Sequence, residues 1–343
     1  MFRLRALLIL ALCLAGCGRD NDRDAFTDSR TPPSLSAADW PPRGWAWGLI
    51  QVGSEPPQRY GVAAPDAVPR AQVLILPGYG ESAEDYYGLA NRLIARGIIV
   101  WSLDGAGQGG SARRLSPRDI GHLESFDGDL AAMDDMTRRV MRPDDPLPLI
   151  LVAAPTSASL VIRRLQMGAP AVTGAVLIAP TRDAPRRPGA RLPSAERLSW
   201  SRRLGFSYLR APGQDGWLRE GPEFGGGLSQ TVSHAWRLAN PDLRMGAPSL
   251  GWYGAFGQLQ QTIDQKGLGS ITTQTLILNP ASQTRTQSAA RDRLCRALPR
   301  CIQAVANNPD AIDARISELI EALRVQTIVT PPSHALSKAA PGG

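Results

Sequence analysis

Histidine and lysine are scarce in this chain: only His122, His234 and His334, and only Lys266 and Lys338, in 343 residues. So few imidazoles argue against a zinc site, and no metal or cofactor is expected. The near absence of lysine leaves arginine to supply almost all of the formal charge of +7. The arginines read as scattered over a solvated surface, and no nucleic-acid fold signature accompanies them, so a nucleic-acid partner is not expected. Cysteine is limited to Cys13, Cys17, Cys295 and Cys301. No apolar run reaches the length of a membrane-spanning helix, since the longest, Ala6–Leu14, is too short. Repeats and low-complexity tracts are missing too. A length of 343 with 43% hydrophobic residues suits one large domain with insertions.

What is present begins with Arg3 and Arg5, the short apolar run, and then Leu14-Ala15-Gly16-Cys17. This order reads as a signal peptide over residues 1–16. The four residues ending at Cys17 resemble a bacterial lipobox; an ordinary secretory signal with an incidental cysteine is the other reading. The resemblance implies cleavage before Cys17, diacylglycerol on its thiol and an acyl chain such as palmitate on the new amino group. Several chains at one residue suffice for stable anchoring. Gly18 follows where aspartate would mark inner-membrane retention, so the expected location is the cell envelope, at the outer membrane facing the periplasm. In that oxidising setting Cys295 and Cys301, in CRALPRC, are expected to form a disulfide joining a helix end to the following strand. Residues 17–44 read as the lipidated cysteine and a flexible tether, 45–328 as the folded body and 329–343 as a disordered tail.

Within the body, strands are expected at 72–76, 98–103, 149–152, 175–178, 275–278 and 302–305. Helical spacing appears over 90–95, from Leu130 through Met133 and Met136 to Val140, and over 311–323. Such alternation predicts an α/β fold, a mostly parallel, doubly wound sheet with helices on both faces. Gly105 to Ser111 is glycine-dense, but the spacing is wrong for a dinucleotide fingerprint. The alternation stops over about 181–251, a stretch rich in arginine, proline and aromatics that reads as a cap over the carboxyl edge of the sheet. Its Trp200, Tyr208, Trp217, Phe224 and Trp236 are expected to form the cap's own small core, an acyl pocket being the alternative. Leu192–Leu204 reads as an amphipathic piece packed on the body, with membrane contact as the other reading.

Several local patterns coincide. Gly78, Glu81, Glu84 and Tyr86 fit HGxxExxxxY. Asp104, Gly107 to Ser111 and Arg113 fit D-x-x-G-Q/H-G-x-S, and Gly121-His122 with Phe126 fits G-H-V-x-x-F. Asn240 to Leu243, Gly246 to Pro248 and Gly251-Trp252 close the cap. Over residues 58–325 the chain therefore resembles the lysophospholipase and monoacylglycerol-lipase-like, S33-type branch of the α/β-hydrolases. The resemblance implies an α/β-hydrolase fold and serine hydrolysis of carboxylic, commonly lipid, esters. Each catalytic position departs from the pattern. In LILVAAPTSASLVIRRL the G-x-S-x-G serine falls on Pro155, which has no hydroxyl and cannot take a left-handed φ. The acid falls on Gln283, the histidine loop is trimmed near Asn307, and Pro77 replaces the histidine of the HG turn.

Two readings follow. The first is an inactive, membrane-anchored scaffold that binds a lipid, an acyl group or an envelope protein. The alternative is an active esterase or lysophospholipase with a relocated nucleophile, Ser157 before Thr156 or Ser159. A side chain two positions along a helix points away from the old reaction centre, so the expected role of Thr156 or Ser157 is to cap the helix. The backbone N–H groups of Tyr79 and Thr156 are expected to remain as an oxyanion-like pair.

Overall fold

The computed structural model describes residues 23–141, 147–225 and 227–329. The signal peptide, Cys17 and the tail from 330, with His334, lie outside them. An eight-stranded sheet runs in the order β1-β2-β4-β3-β5-β6-β7-β8. The strands are β1 (Ala46–Ile50), β2 (Gln58–Ala63), β3 (Ala71–Leu76), β4 (Ile98–Leu103), β5 (Leu149–Ala153), β6 (Gly174–Ile178), β7 (Gln274–Pro280) and β8 (Cys301–Ala306). β2 pairs antiparallel with β1 and β4, and every other pairing is parallel. The chain thus has the α/β-hydrolase fold class expected from its alternation. Sequence reading missed β1 and β2 because each is interrupted by glycine, at Gly48 and Gly61, and neither offers a continuous apolar run.

Alternation along the central strands sends side chains to two cores. Leu74, Leu76, Leu149, Leu151 and Ala153 face one core. It is covered by α2 (Asp127–Asp135), α3 (Ala158–Gln166) and α6 (Leu250–Lys266). Val73, Ile75, Ile150 and Val152 face the other, covered by α1 (Tyr87–Ala95) and α8 (Ile312–Val329). The helix expected to run on to Val140 does so, as an α-helix to Asp135 and then as a wider π-type turn over Met136–Val140, with Met141 N–H donating to Met136 O at 2.9 Å. Between β6 and α6 the cap carries α4 (Ala195–Arg203) and α5 (Gln230–Ala239). After β7, α7 (Arg285–Ala297) leads to β8, and Cys295 on that helix is disulfide-bonded to Cys301 at the start of the strand, Cα to Cα 5.3 Å.

The tether expected through residue 44 is laid against the body from Arg23 onward. Phe26 N–H donates to Gly110 O at 2.9 Å, and its ring lies 5.1 Å from the Arg59 guanidinium and 5.0 Å from that of Arg118. Arg30 and Asn240 bond reciprocally, backbone to side-chain amide, at 2.7 and 2.9 Å, and Ser29 Oγ donates to Glu84 at 2.5 Å. The composition of this stretch is polar, but several of its hydrogen-bonding groups find partners on the body and Phe26 finds two cations.

Candidate functional site

The site is the carboxyl edge where the turns after β3, β4 and β5 meet beneath the cap. The β3 turn is built on a buried carboxylate: Glu81 Oε2 accepts from Gly78 N–H at 2.7 Å and from the Tyr86 hydroxyl at 2.6 Å, and Oε1 accepts from Gly227 N–H at 3.1 Å. Burial, with no cation in direct contact in this set, raises its pKa. Gly78 is required sterically, since a Cβ there would stand 2.7 Å from Thr156 Oγ1. Behind this turn Arg59 spans Glu84 at 2.7 Å and Asp104 at 2.6 Å, and all three side chains are fully buried. Burial opposes the Arg59 charge, but the Asp104 and Glu84 carboxylates outweigh it and hold its pKa above the ordinary value. Asp104 also accepts from Ala83 N–H at 2.9 Å and Gly110 N–H at 2.8 Å. The motif residues of both loops therefore fix the position of the β3 turn.

At the β5 turn the nucleophile position is Pro155. Among the described residues the non-glycine with a left-handed backbone is Ala179, φ 44°, at the end of β6, so Pro155 does not adopt the bend of a nucleophile elbow. Thr156 turns its hydroxyl onto the β3 turn, where Oγ1 accepts from Tyr79 N–H at 2.7 Å. This differs from the expected open pair of donors: a side chain of the protein occupies, at Tyr79, the place that an oxyanion would take. Ser157 differs too. It is the residue preceding α3, yet its hydroxyl makes no cap bond and instead donates to Leu76 O at 2.6 Å and faces Ala154 O at 3.2 Å. The helical turn has already begun at Ala154, whose carbonyl accepts from Ala158 N–H at 3.0 Å, so Ser157 is in helical geometry and bonds backward to carbonyls. Ser159 Oγ accepts from Gln260 Nε2 at 2.6 Å.

The other expected positions lie in structural roles. Gln283 Oε1 accepts from Arg291 Nη1 at 2.5 Å, beside Thr284, which caps α7. Between β8 and the short helical turn Pro309–Ala311 only Asn307 and Asn308 remain, and Asn308 Oδ1 accepts from Ala311 N–H at 2.9 Å. His122 Nδ1 is 2.8 Å from Ser249 Oγ, at the buried start of α6, and burial lowers its pKa. His234 Nδ1 is 2.8 Å from Glu223 Oε1 in the cap. Neither described imidazole is hydrogen-bonded to a hydroxyl of the β5 turn.

Aromatic rings close the site from above. Tyr79 lies 4.8 Å from Trp252 and 6.1 Å from Phe224, and Trp252 lies 5.8 Å from Phe126 and 5.1 Å from Phe256. Phe224 and Trp236 are buried, Trp236 against Tyr87 at 5.4 Å, whereas Trp200 and Tyr208 are exposed and belong to no cap core. What remains open is a cavity of about 40 Å³ lined by Leu103, Phe126, Asp129, Thr156, Ser157 and Trp252 among others. That is room for about three waters. Asp129, which the sequence did not single out, is buried there. Its Oδ1 accepts from Ala106 N–H at 2.8 Å and its Oδ2 has no protein partner. Burial pushes its pKa up to about 6.

Comparison with known proteins fits this architecture. The soluble variant of the monoglyceride lipase of Saccharomyces cerevisiae superposes with a TM-score of 0.58 at 12% identity, over 80% of this chain and 94% of that one. The monoacylglycerol lipase of Paleococcus ferrophilus gives 0.54 at 17%, over 76% and 97%, and a thermostable carboxyl esterase of Bacillus coagulans gives 0.57 at 15%, over 83% and 98%. At these identities the likeness is one of fold. A monoacylglycerol lipase of Mycolicibacterium smegmatis is 40% identical over 69 residues, which span 20% of this chain and only a quarter of the length of that relative. The family model described as serine aminopeptidase, S33 matches residues 67–309, most of the described body, and the chain belongs to that family of α/β-hydrolases.

Proposed function

We propose that this chain is a lipid-anchored cell-envelope protein that keeps the hydrolase scaffold without its ester chemistry and acts by binding. One observation carries the reading: the nucleophile position is a proline, and the next residue covers the oxyanion donor of Tyr79 with its own hydroxyl. Acyl transfer needs an activated nucleophile, a base and donors free to meet the developing negative charge. Here the ring of Pro155 offers no attacking atom, and Gln283 cannot stabilise an imidazolium. A relocated nucleophile at Ser157 gains no support, because its proton is given to the Leu76 carbonyl and neither described imidazole is bonded to it.

The size of the cavity bears on what is bound. Ligand pockets for organic molecules run to about 300–1,000 Å³, against about 40 Å³ here. Binding through the surface, to lipid or to an envelope protein, therefore has better support than an acyl chain in the cleft. The lipobox-like residues ending at Cys17 support the anchor and, with Gly18, placement at the outer membrane facing the periplasm. No described helix is long and apolar enough to cross a membrane.

Two measurements test the reading. The purified protein should take up no fluorophosphonate probe and cleave no short or medium acyl ester above a denatured control; labelling that disappears in Ser157→Ala would overturn inactivity. After a carbonate wash that strips surface-bound protein, Cys17→Ala should be missing from the membrane fraction, and its unchanged retention would remove the anchor.

A further inference from the structure

Fifteen large apolar side chains are exposed among the described residues, and seven of them fall between Leu192 and Leu218. Five are packed into ten positions: Trp200, Leu204, Phe206, Tyr208 and Leu209. Trp200 and Leu204, 59% and 57% exposed, stand one turn apart at the end of α4, and the chain then turns through Phe206 N–H to Ser201 O at 2.7 Å and Leu209 N–H to Phe206 O at 3.1 Å. On α4 only Leu198 and Ser201 tuck inward, and after it Ser207 is buried, its hydroxyl donating to Glu124 at 2.5 Å. Packing of Leu192–Leu204 on the body, as the sequence suggested, is thus confined to the inner edge of the helix. The charge is equally localised. Residues 186–210 hold seven arginines against Glu196 alone; Arg187 is turned inward onto Pro222 O and Gly216 O and Arg210 is paired with Asp119, which leaves Arg186, Arg191, Arg197, Arg202 and Arg203 exposed. The expectation of scattered arginines does not hold over this segment.

We infer that this face of the cap lies on an anionic lipid surface, with Trp200, Leu204 and Phe206 entering the interface and the arginines meeting the headgroups. Exposed Trp, Leu, Phe and Tyr beside arginine are the composition that an interfacial segment requires, its rings taking the boundary and its cations the phosphate layer. The exit of the chain agrees. Arg23 O accepts from Arg113 N–H at 2.7 Å and Asp24 O from Arg118 Nη1 at 2.9 Å. In the same loop Asp119 accepts from Arg210 Nη2 at 2.8 Å and from Trp217 N–H at 2.9 Å. The start of the described chain and the end of the apolar patch are therefore held by one loop. From Arg23 back to Cys17 the chain can reach at most about 21 Å. The inference deepens the proposed anchoring, on which it rests for its membrane, but its readout does not depend on acylation.

The test is Trp200 fluorescence in the full chain, bound to phosphatidylcholine–phosphatidylglycerol vesicles whose acyl chains carry bromine, taking the difference from Trp200→Phe as the Trp200 component. That component should be quenched, and Leu204→Glu with Phe206→Glu should abolish the quenching while the fold stays intact by circular dichroism. Arg197→Gln with Arg203→Gln should raise the phosphatidylglycerol content or lipid concentration needed, weakening the surface contact about twenty-five-fold at roughly fivefold per arginine. Vesicle-bound protein whose Trp200 is untouched by bromine, or quenched equally in the glutamate variant, overturns the inference. So does shielding of Trp200 that appears only as protein concentration rises, which would assign the patch to a second copy. Quenching without an acyl mass on the Cys17 peptide would sink the lipoprotein reading and leave the docking face standing.

Discussion

Replacing Asp129 with asparagine should stabilise this protein at neutral pH and leave it slightly less stable in acid. Asp129 sits in the first turn of α2, 4% exposed, with Oδ1 on Ala106 N–H and Oδ2 without a protein partner beside the apolar cavity. Burial raises its pKa from 3.8 to about 6, with Glu55 adding to the rise and Ala106 N–H and Arg114 opposing it. Between those two values the native state holds a proton that the unfolded chain has released, so stability falls as pH rises from about 4 to 6 and stays low above. At about 1.4 kcal/mol per pH unit the full penalty at pH 7 is about 3 kcal/mol. Asparagine keeps the Oδ1 contact and cannot ionise, but its unpaired amide retains a cost of about 1 kcal/mol. The net gain is then about 2 kcal/mol at pH 7, or about 3 °C in Tm for a body of this size. Thermal unfolding of both proteins at pH 7.5 and pH 4 measures it, both values being conditions of about two pH units from the folded pKa. A variant less stable than the parent at pH 7.5, or a difference that ignores pH, would refute the argument that the charge is buried at a cost.

The other predictions concern the site and the N-terminal segment. Pro155→Ser alone should restore no hydrolysis of p-nitrophenyl butyrate, because Thr156 still covers Tyr79 N–H and Gln283 still replaces the acid; a rise above background would show that the turn can reopen. Arg59→Met should cost about 3–5 kcal/mol by urea unfolding, since it leaves Glu84 and Asp104 buried without their cation. The same variant should expose residues 23–44 to trypsin before the body is cut, and simultaneous cutting would mean that Phe26 is not held through Arg59.

The fold was legible because its signals are local. Runs such as Leu149–Val152 and Ala175–Ile178 are apolar without alternation, as strands covered on both faces must be, and the turn residues after them follow at fixed offsets. The vacancy at the nucleophile position was legible for the same reason, since a proline at 155 is read from one letter. What was hidden depends on approach between distant segments. That the Thr156 hydroxyl meets Tyr79 N–H, 77 positions away, follows from the parallel pairing of β3 with β5. Phe26 gave no sign that it would lie between Arg59 and Arg118. Asp129 looked like an ordinary acidic residue at a helix start, and its burial comes from its place on the cavity that Phe126 and Trp252 also line.

The Arg59 cluster also separates the stretch that is recognisable from the stretch that can stand alone. The family match opens at residue 67, after β2 has already contributed this guanidinium. A fragment begun there would strip two strands from the sheet, bare the flank of β4, and set Glu84 and Asp104 facing one another with nothing to neutralise them. Kinship in sequence starts later in this protein than self-sufficiency does, and a dissection guided by the former would yield a polypeptide that collapses.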